Sequence, residues 1–198
     1  QVLDLSGETD QTLAMYGVDQ EATSDFGRRC LMARRMVEAG VRFIEVMVTV
    51  GAGTSPFDNH GNLKGGLEAI CPRIDKPSAG LIQDLKQRGL LDTTLVLWTG
   101  EFGRLPISQQ GDGRDHNRNA FTLLAAGGGF KPGYTHGATD ELGYKSVEDR
   151  VSVHDLHATI LHQLGVDHRL LSHPHNGRDE RLTDPEVTGA RVVKEILV

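Results

Sequence analysis

Apolar residues recur at helical spacing in three parts of the chain. The first, residues 24–39, is followed by Gly40, and the second begins near residues 75–77 and ends at Gly89. The third opens with Ser152 and Asp155, which have the spacing of a capping box, and it continues to residue 164. The pattern therefore predicts three helices.

Other apolar stretches have the composition of strands. Residues 41–50 are rich in β-branched side chains, and residues 94–99 and 120–126 are nearly continuous apolar runs. Such runs are typical of strands that are covered on both faces, as in parallel sheets. Residues 127–150 are polar and glycine-rich, which indicates a long loop or a small hairpin. The order of these elements favours an α/β fold with a mixed or parallel sheet and helices on its faces.

Charge and composition exclude some classes of function. The chain has 198 residues, with 21 basic and 27 acidic side chains and a net charge of -6, which argues against a nucleic-acid-binding surface. No stretch reaches the roughly 18 apolar residues of a membrane span, and the start does not resemble a secretory signal. Cys30 and Cys71 are too few for a disulfide framework or a cysteine zinc site, and we expect two unpaired thiols.

Three polar clusters flanked by glycine lie where predicted strands give way to loops. Asp58 and His60 offer oxygen and nitrogen donors that suit a divalent cation, although an Asx turn with an exposed histidine is equally compatible. Glu101 follows a predicted buried strand, so its carboxylate requires a metal, Arg104 or a backbone amide as partner. The alternative to a metal site is an internal Glu101–Arg104 ion pair that fixes the loop.

The remaining candidates are histidines and one further acid. Asp115 and His116 are adjacent, so only a turn lets both reach one site. His136 is a loop imidazole, a kind of residue that is more often solvated than bound to a metal. His154 and His157 share a face of the last predicted helix, where we expect them to support the start of the helix rather than to bind a metal.

Together these motifs resemble the carboxyl-terminal half of a bacterial sulfatase-like family, catalogued as domain of unknown function 1501, within the alkaline phosphatase superfamily. The resemblance covers nearly the whole chain. It rests on Gly40-Val41-Arg42-Phe43, Asp58-Asn59-His60-Gly61, residues 84–96, residues 100–106, Gly113-Arg114-Asp115-His116, residues 137–143 and residues 153–166.

This resemblance implies a fold, an activity and a set of site residues. The implied fold is an alkaline phosphatase/sulfatase-like α/β sandwich with a mainly parallel sheet flanked by helices, of which residues 1–198 form the carboxyl-terminal part of one domain. The implied activity is metal-dependent hydrolysis of sulfate or phosphate esters, with zinc, manganese or calcium as cofactor and a small anionic ester or sulfated glycan as substrate. The implied metal ligands are Asp58, His60, Glu101, Asp115, His116 and His136.

Further expectations follow from the same comparison of motifs. Arg104 and Arg114 are the candidates for holding the anionic group by bidentate hydrogen bonds. The nucleophile of the superfamily lies in an amino-terminal half that is not part of this chain, and the resemblance suggests export from the cytoplasm. Better-known members carry a histidine where this chain has Phe102. The alternative function is therefore a catalytically inactive member that acts as a binding or surface-associated protein.

Overall fold

The computed structural model describes residues 2–48 and 56–198. Within these residues five α-helices and eight short strands alternate with long irregular segments. The helices are α1 (Asp10–Met15), α2 (Ser24–Glu38), α3 (Leu63–Gln87), α4 (Val153–Gln163) and α5 (Pro185–Thr188). The strands are β1 (Val96–Trp98), β2 (Gly103–Arg104), β3 (His116–Asn117), β4 (Leu124–Ala126), β5 (Ala138–Thr139), β6 (Ser146–Glu148), β7 (His173–His175) and β8 (Arg178–Glu180).

Helices α2 and α3 pack against each other and bury the main apolar core. The cluster consists of Tyr16, Val18, Cys30 and Leu31, with partly buried apolar side chains around it. Burial raises the pKa of the Cys30 thiol to about 12, so this cysteine is an inert packing residue. Cys30 and Cys71 are both free, as the sequence predicts.

Helix α3 begins twelve residues before its predicted start because tertiary packing overrides local sequence. Pro72 and Pro77 lie inside the helix, and each interior proline costs about 3 kcal/mol. Ile70, Ile74 and Leu85 are almost fully buried, and each such burial contributes about 1.5–3 kcal/mol. The two effects are of similar size, so the helix continues through both prolines.

A buried network of ion pairs joins α2 and α3 to the segment before α1. Arg34 is 2% exposed and pairs with Glu8 at 2.7 Å and with Glu38 at 2.6 Å. Its Nε lies 3.0 Å from Asp84 Oδ2, close enough for an ion pair but without the alignment of a hydrogen bond. Tyr16 donates a hydrogen bond of 2.9 Å to the same carboxylate oxygen. We call the following residues the helical ion-pair network: Glu8, Arg34, Arg35, Glu38, Asp84 and Arg88.

The predicted parallel sheet is wrong. The described strands form four separate two-stranded antiparallel sheets, β1–β4, β2–β3, β5–β6 and β7–β8. The chain therefore does not have an alkaline phosphatase-like sandwich in the part that the structure describes. The two apolar runs that suggested such a sandwich pair with each other, and Trp98 and Leu124 remain 49% and 57% exposed. A continuous apolar run is thus not covered on both faces here.

Other sequence predictions have mixed outcomes. Helices α2 and α4 are confirmed, and Ser152 and Asp155 form the predicted capping box. Residues 41–48 form no regular strand, and residues 49–50 of that prediction lie outside the described residues. Residues 127–150 contain the small hairpin β5–β6. No helix within the described ranges has both the length and the apolar character needed to cross a bilayer.

Candidate metal centre

The hairpin β2–β3 builds one wall of the site. Arg104 of β2 lies opposite His116 of β3 in the antiparallel register. The connecting loop is closed by two backbone hydrogen bonds, from Leu105 N–H to the Asp115 carbonyl at 2.7 Å and from Asp115 N–H to the Ile107 carbonyl at 3.0 Å. Arg104, Asp115 and His116 therefore all lie at the same end of this hairpin.

The segment that carries Asp58 and His60 packs against this hairpin through its backbone. Arg114 N–H donates to the Asn59 carbonyl at 2.8 Å, and Ser108 Oγ donates to the His60 carbonyl at 2.8 Å. Gly113 approaches the His60 carbonyl so closely that any Cβ at this position would collide with it. The glycine lets two segments more than 40 residues apart in sequence meet.

Asp112 fixes the same loop to the start of α3. Its carboxylate accepts a hydrogen bond of 2.8 Å from Asn62 N–H, and its carbonyl accepts one of 3.1 Å from Leu63 N–H. These contacts satisfy amides that a helix start leaves unpaired. Sequence reasoning missed Ser108 and Asp112, although the turn residues Gly111-Asp112-Gly113 between apolar Ile107 and the polar cluster are a recognisable hairpin signal.

Asp58, His60 and His116 converge on one point, and we call these three residues the loop triad. Asp58 Oδ1 lies 2.9 Å from His116 Nε2 and 3.1 Å from His60 Nε2, and the two Nε2 atoms are 3.1 Å apart. Zinc bonds of about 2.0–2.1 Å at tetrahedral angles separate neighbouring ligand atoms by about 3.3–3.4 Å. The triangle is therefore close to the size that three corners of a tetrahedral site require.

The triad is open to solvent on one side. The side chains of Asp58, His60 and His116 are 35%, 36% and 46% exposed. Three protein ligands with an accessible remaining position are the arrangement of catalytic rather than structural zinc sites. The donor set of one carboxylate oxygen and two imidazole nitrogens fits zinc or manganese better than calcium, which takes six to eight oxygen ligands.

Neighbouring hydrogen-bond donors keep Asp58 ionised. Hydrogen bonds from Arg104 and His116 lower the pKa of Asp58 to about 2. The pKa of Asp115 is also lowered, chiefly by its hydrogen bond to His60 and next by the Gln109 backbone amide. Both carboxylates are thus negative at neutral pH and available to attract a cation.

The contacts of His60 assign its tautomer. Its Nδ1 lies 2.6 Å from Asp115 Oδ1, and an ionised carboxylate can only accept, so Nδ1 carries the proton. On the other side of the ring, Nε2 lies 3.1 Å from Asp58 Oδ1 and 3.1 Å from His116 Nε2. Asp58 Oδ1 accepts a hydrogen bond of 2.9 Å from His116 Nε2, so that nitrogen carries a proton which a metal ion would displace.

The structure brings some of the other sequence candidates to the triad and leaves others apart. Glu101 is 63% exposed and pairs with Arg104 at 3.2 Å, so the alternative ion pair is observed. Arg104 also pairs with Asp58, whereas Arg114 donates to the carbonyl of its own neighbour Gly113 at 2.7 Å. His136 is not part of the triad, and both of its ring nitrogens are buried without a hydrogen-bond partner among the described residues.

Phe102 lies beside the loop triad. Its ring packs against His116 with centroids 4.4 Å apart, and the Arg104 guanidinium lies 5.4 Å from its centroid. The side chain therefore supports His116 and Arg104 by packing and supplies no donor atom. On α4, His157 Nδ1 hydrogen-bonds the Val153 carbonyl at 2.8 Å, in agreement with a supporting role at the helix start.

Comparison with known families places this chain in one of them. A family described as protein of unknown function (DUF1501) matches residues 1–197. The chain belongs to this family. Comparison with curated proteins and with solved structures gave no match. The family assignment agrees with the motifs, whereas the wider alkaline phosphatase superfamily, which implied a parallel sandwich, gains no support from the fold.

Proposed function

We propose that this protein binds one divalent metal ion at the loop triad and acts as a metal-dependent hydrolase of phosphate or sulfate esters. The observation that carries the proposal is the convergence of Asp58 Oδ1, His60 Nε2 and His116 Nε2 within 3.1 Å of one another. Zinc is the first choice of metal and manganese the second, because both accept mixed oxygen and nitrogen donors. A bound ion would supply Lewis-acid polarisation of a phosphoryl or sulfuryl oxygen.

Arg104 is the better candidate for holding the anionic group of the substrate. Its guanidinium lies at the triad, where Nη1 contacts Asp58 and Nη2 contacts Glu101, and the side chain is 24% exposed. A planar guanidinium can bind two oxygens of a phosphate or sulfate group at once. Arg114 remains a second candidate, although its guanidinium hydrogen-bonds its own loop. Glu101 completes the polar rim and balances Arg104 before substrate arrives.

Removal of individual ligands tests the proposal. We expect Asp58→Ala and His116→Ala to lose bound zinc in elemental analysis and to lose hydrolysis of p-nitrophenyl phosphate or p-nitrophenyl sulfate. The matched control is His173→Ala, which removes an exposed imidazole from strand β7. Zinc content and turnover that are equal in the wild type and both triad variants would remove the triad from the mechanism.

A second candidate function is metal binding without catalysis, in a binding or surface-associated protein. The packing of the Phe102 ring on His116 favours it, because an apolar ring takes the place of a possible donor at the edge of the site. One equivalent of zinc that depends on Asp58 and His116, together with no turnover of either ester, would select this candidate. Zinc-dependent turnover would select the hydrolase.

A further inference from the structure

His60 is contacted at both ring nitrogens, and the two contacts have different characters. Nε2 faces the other triad atoms, whereas Nδ1 faces Asp115 Oδ1 at 2.6 Å on the opposite side of the ring. We infer that Asp115 is a positioning residue, which holds His60 in the Nδ1–H tautomer so that the Nε2 lone pair is directed at the metal. This inference rests on the proposed metal site.

The carboxylate of Asp115 is itself held in place. Its second oxygen, Oδ2, accepts a hydrogen bond of 2.9 Å from the Gln109 backbone amide. The backbone of Asp115 is fixed on both sides by the hydrogen bonds with Leu105 and Ile107 that close the β2–β3 loop. Each carboxylate oxygen of Asp115 therefore has a separate partner. The hairpin backbone fixes the Asp115 carboxylate, which in turn sets the orientation of the His60 ring.

The geometry separates the role of Asp115 from that of its neighbour. His116 supplies one of the three converging atoms, whereas neither oxygen of Asp115 belongs to that group. An ionised carboxylate behind a metal-bound imidazole fixes the tautomer and raises the basicity of the ring, and its loss typically costs 10–100-fold in metal affinity. His116 would therefore bind the cation directly, whereas Asp115, one residue earlier in the chain, would act on it through His60.

The test combines a tautomer measurement with a metal titration. In ¹⁵N-labelled protein at pH 8 without metal, we expect His60 Nδ1 to be protonated in the wild type, and His60→Ala identifies the resonance. Asp115→Ala should shift the population toward the Nε2–H tautomer and weaken zinc binding by about 10–100-fold. Asp115→Asn keeps an oxygen acceptor, so it should preserve the wild-type tautomer and lose less affinity.

The control variant is Asp179→Asn, on the exposed strand β8. Asp179 is not one of the converging residues, and we expect the tautomer and the zinc affinity to stay at wild-type values. Circular dichroism and the urea midpoint of each variant establish that it is folded.

The outcomes separate this inference from the proposed function. If Asp115→Ala leaves the tautomer unchanged, the inference is overturned whatever happens to the affinity, and a loss of affinity equal to that of Asp58→Ala would then make Asp115 a ligand. If the wild type binds no zinc, the proposed metal site fails, although a tautomer shift in Asp115→Ala would still show that Asp115 orients His60. A shift accompanied by weaker zinc binding supports both.

Discussion

The helical ion-pair network and the surroundings of the loop triad contain the same kinds of charged group in opposite settings. In the network, three carboxylates meet three guanidinium groups, and Arg34, Glu8 and Asp84 are all less than 10% exposed. Around the triad, the described contacts set three carboxylates, those of Asp58, Glu101 and Asp115, against the guanidinium of Arg104. The first cluster is neutral and has a buried centre, and the second is negative and open.

This difference indicates which cluster has a structural role. Burial of a charge is costly unless partners compensate it, and the network compensates each of its charges within the protein. Burial lowers the pKa of Arg34, but the hydrogen bonds that Arg34 donates to Glu38 and Glu8 more than offset this effect, so the pKa of Arg34 lies above its usual value. The triad instead leaves excess negative charge and two imidazoles facing solvent. Such a cluster contributes little to folding, and its donor atoms are compatible with a bound cation.

The largest expected effect comes from opening the helical ion-pair network. Arg34→Met keeps much of the side-chain volume but leaves Glu8 and Asp84 without their shared cation. Because an uncompensated charge remains buried, we expect the free energy of unfolding to fall by about 3–5 kcal/mol, measured by urea titration. Arg191→Ala, which removes an exposed partner of Glu195, is the control and should change stability little. An Arg34→Met protein as stable as the wild type would contradict a structural role for the network.

The triad should show the reverse pattern, with a large effect on binding and a small one on folding. His116→Ala removes one of three ligands from a side chain that is 46% exposed. We expect zinc affinity to fall by about a hundredfold or more, beyond the typical cost of losing an outer-shell partner, because two ligands hold the ion far less tightly than three. The urea midpoint should stay near that of the wild type. Isothermal titration calorimetry and urea unfolding on the same samples measure both quantities. A variant that loses stability but keeps its affinity would erase the distinction between the two clusters.

Acid should weaken the network through Glu8. Burial raises the pKa of this carboxyl, but hydrogen bonds from Arg35 and Arg34 outweigh that effect and lower it below the usual 4.5. A carboxyl whose pKa is depressed by folding stabilises the protein fully above its unfolded pKa. That contribution is lost as the pH falls from about 4.5 through the lower folded pKa. We expect Glu8→Gln to flatten the dependence of unfolding free energy on pH in this window, and an unchanged slope would contradict the assignment.

The smallest effect concerns Arg104, whose removal should strengthen zinc binding and weaken the binding of an anionic substrate. Loss of a cation beside Asp58 removes about 1 kcal/mol of repulsion toward a bound ion in a water-like dielectric, so Arg104→Ala should bind zinc roughly fivefold more tightly. The same variant should show a higher KM for p-nitrophenyl phosphate, because the anion loses its guanidinium partner. Arg104→Lys should restore part of the KM. Weaker zinc binding in Arg104→Ala would show that the arginine is needed to hold Asp58 in place.

Local signals predicted the parts of the fold that depend on local interactions. Helix α4 was predictable because Ser152 and Asp155 form a capping box and Gly165 follows the helix. The start of α3 was not, since Pro72 and Pro77 oppose a helix locally and the burial of Ile70, Ile74 and Leu85 is needed to offset them. The sheet was also unpredictable, because the pairing of residues 96–98 with residues 124–126 depends on the path of the intervening chain.

The residues of the candidate site could be predicted from the sequence, but the way in which the fold brings them together could not. Asp58, His60 and His116 carry donor atoms in glycine-flanked loops, which marks them as candidates in the sequence. Their convergence arises from the β2–β3 hairpin and from Gly113, rather than from the edge of a parallel sheet. Asp115 and His116 contact opposite sides of the His60 ring, at Nδ1 and Nε2. This arrangement depends on the folded hairpin and could not be predicted from the sequence.

A crystal of the protein grown with zinc tests most directly whether the loop triad is a metal site. In an anomalous difference map at the zinc edge, we predict one peak about 2.0–2.2 Å from Asp58 Oδ1, His60 Nε2 and His116 Nε2. Asp115 should remain hydrogen-bonded to His60 Nδ1 in that structure. A map with no peak at the triad, or with zinc bound only elsewhere on the surface, would contradict the account.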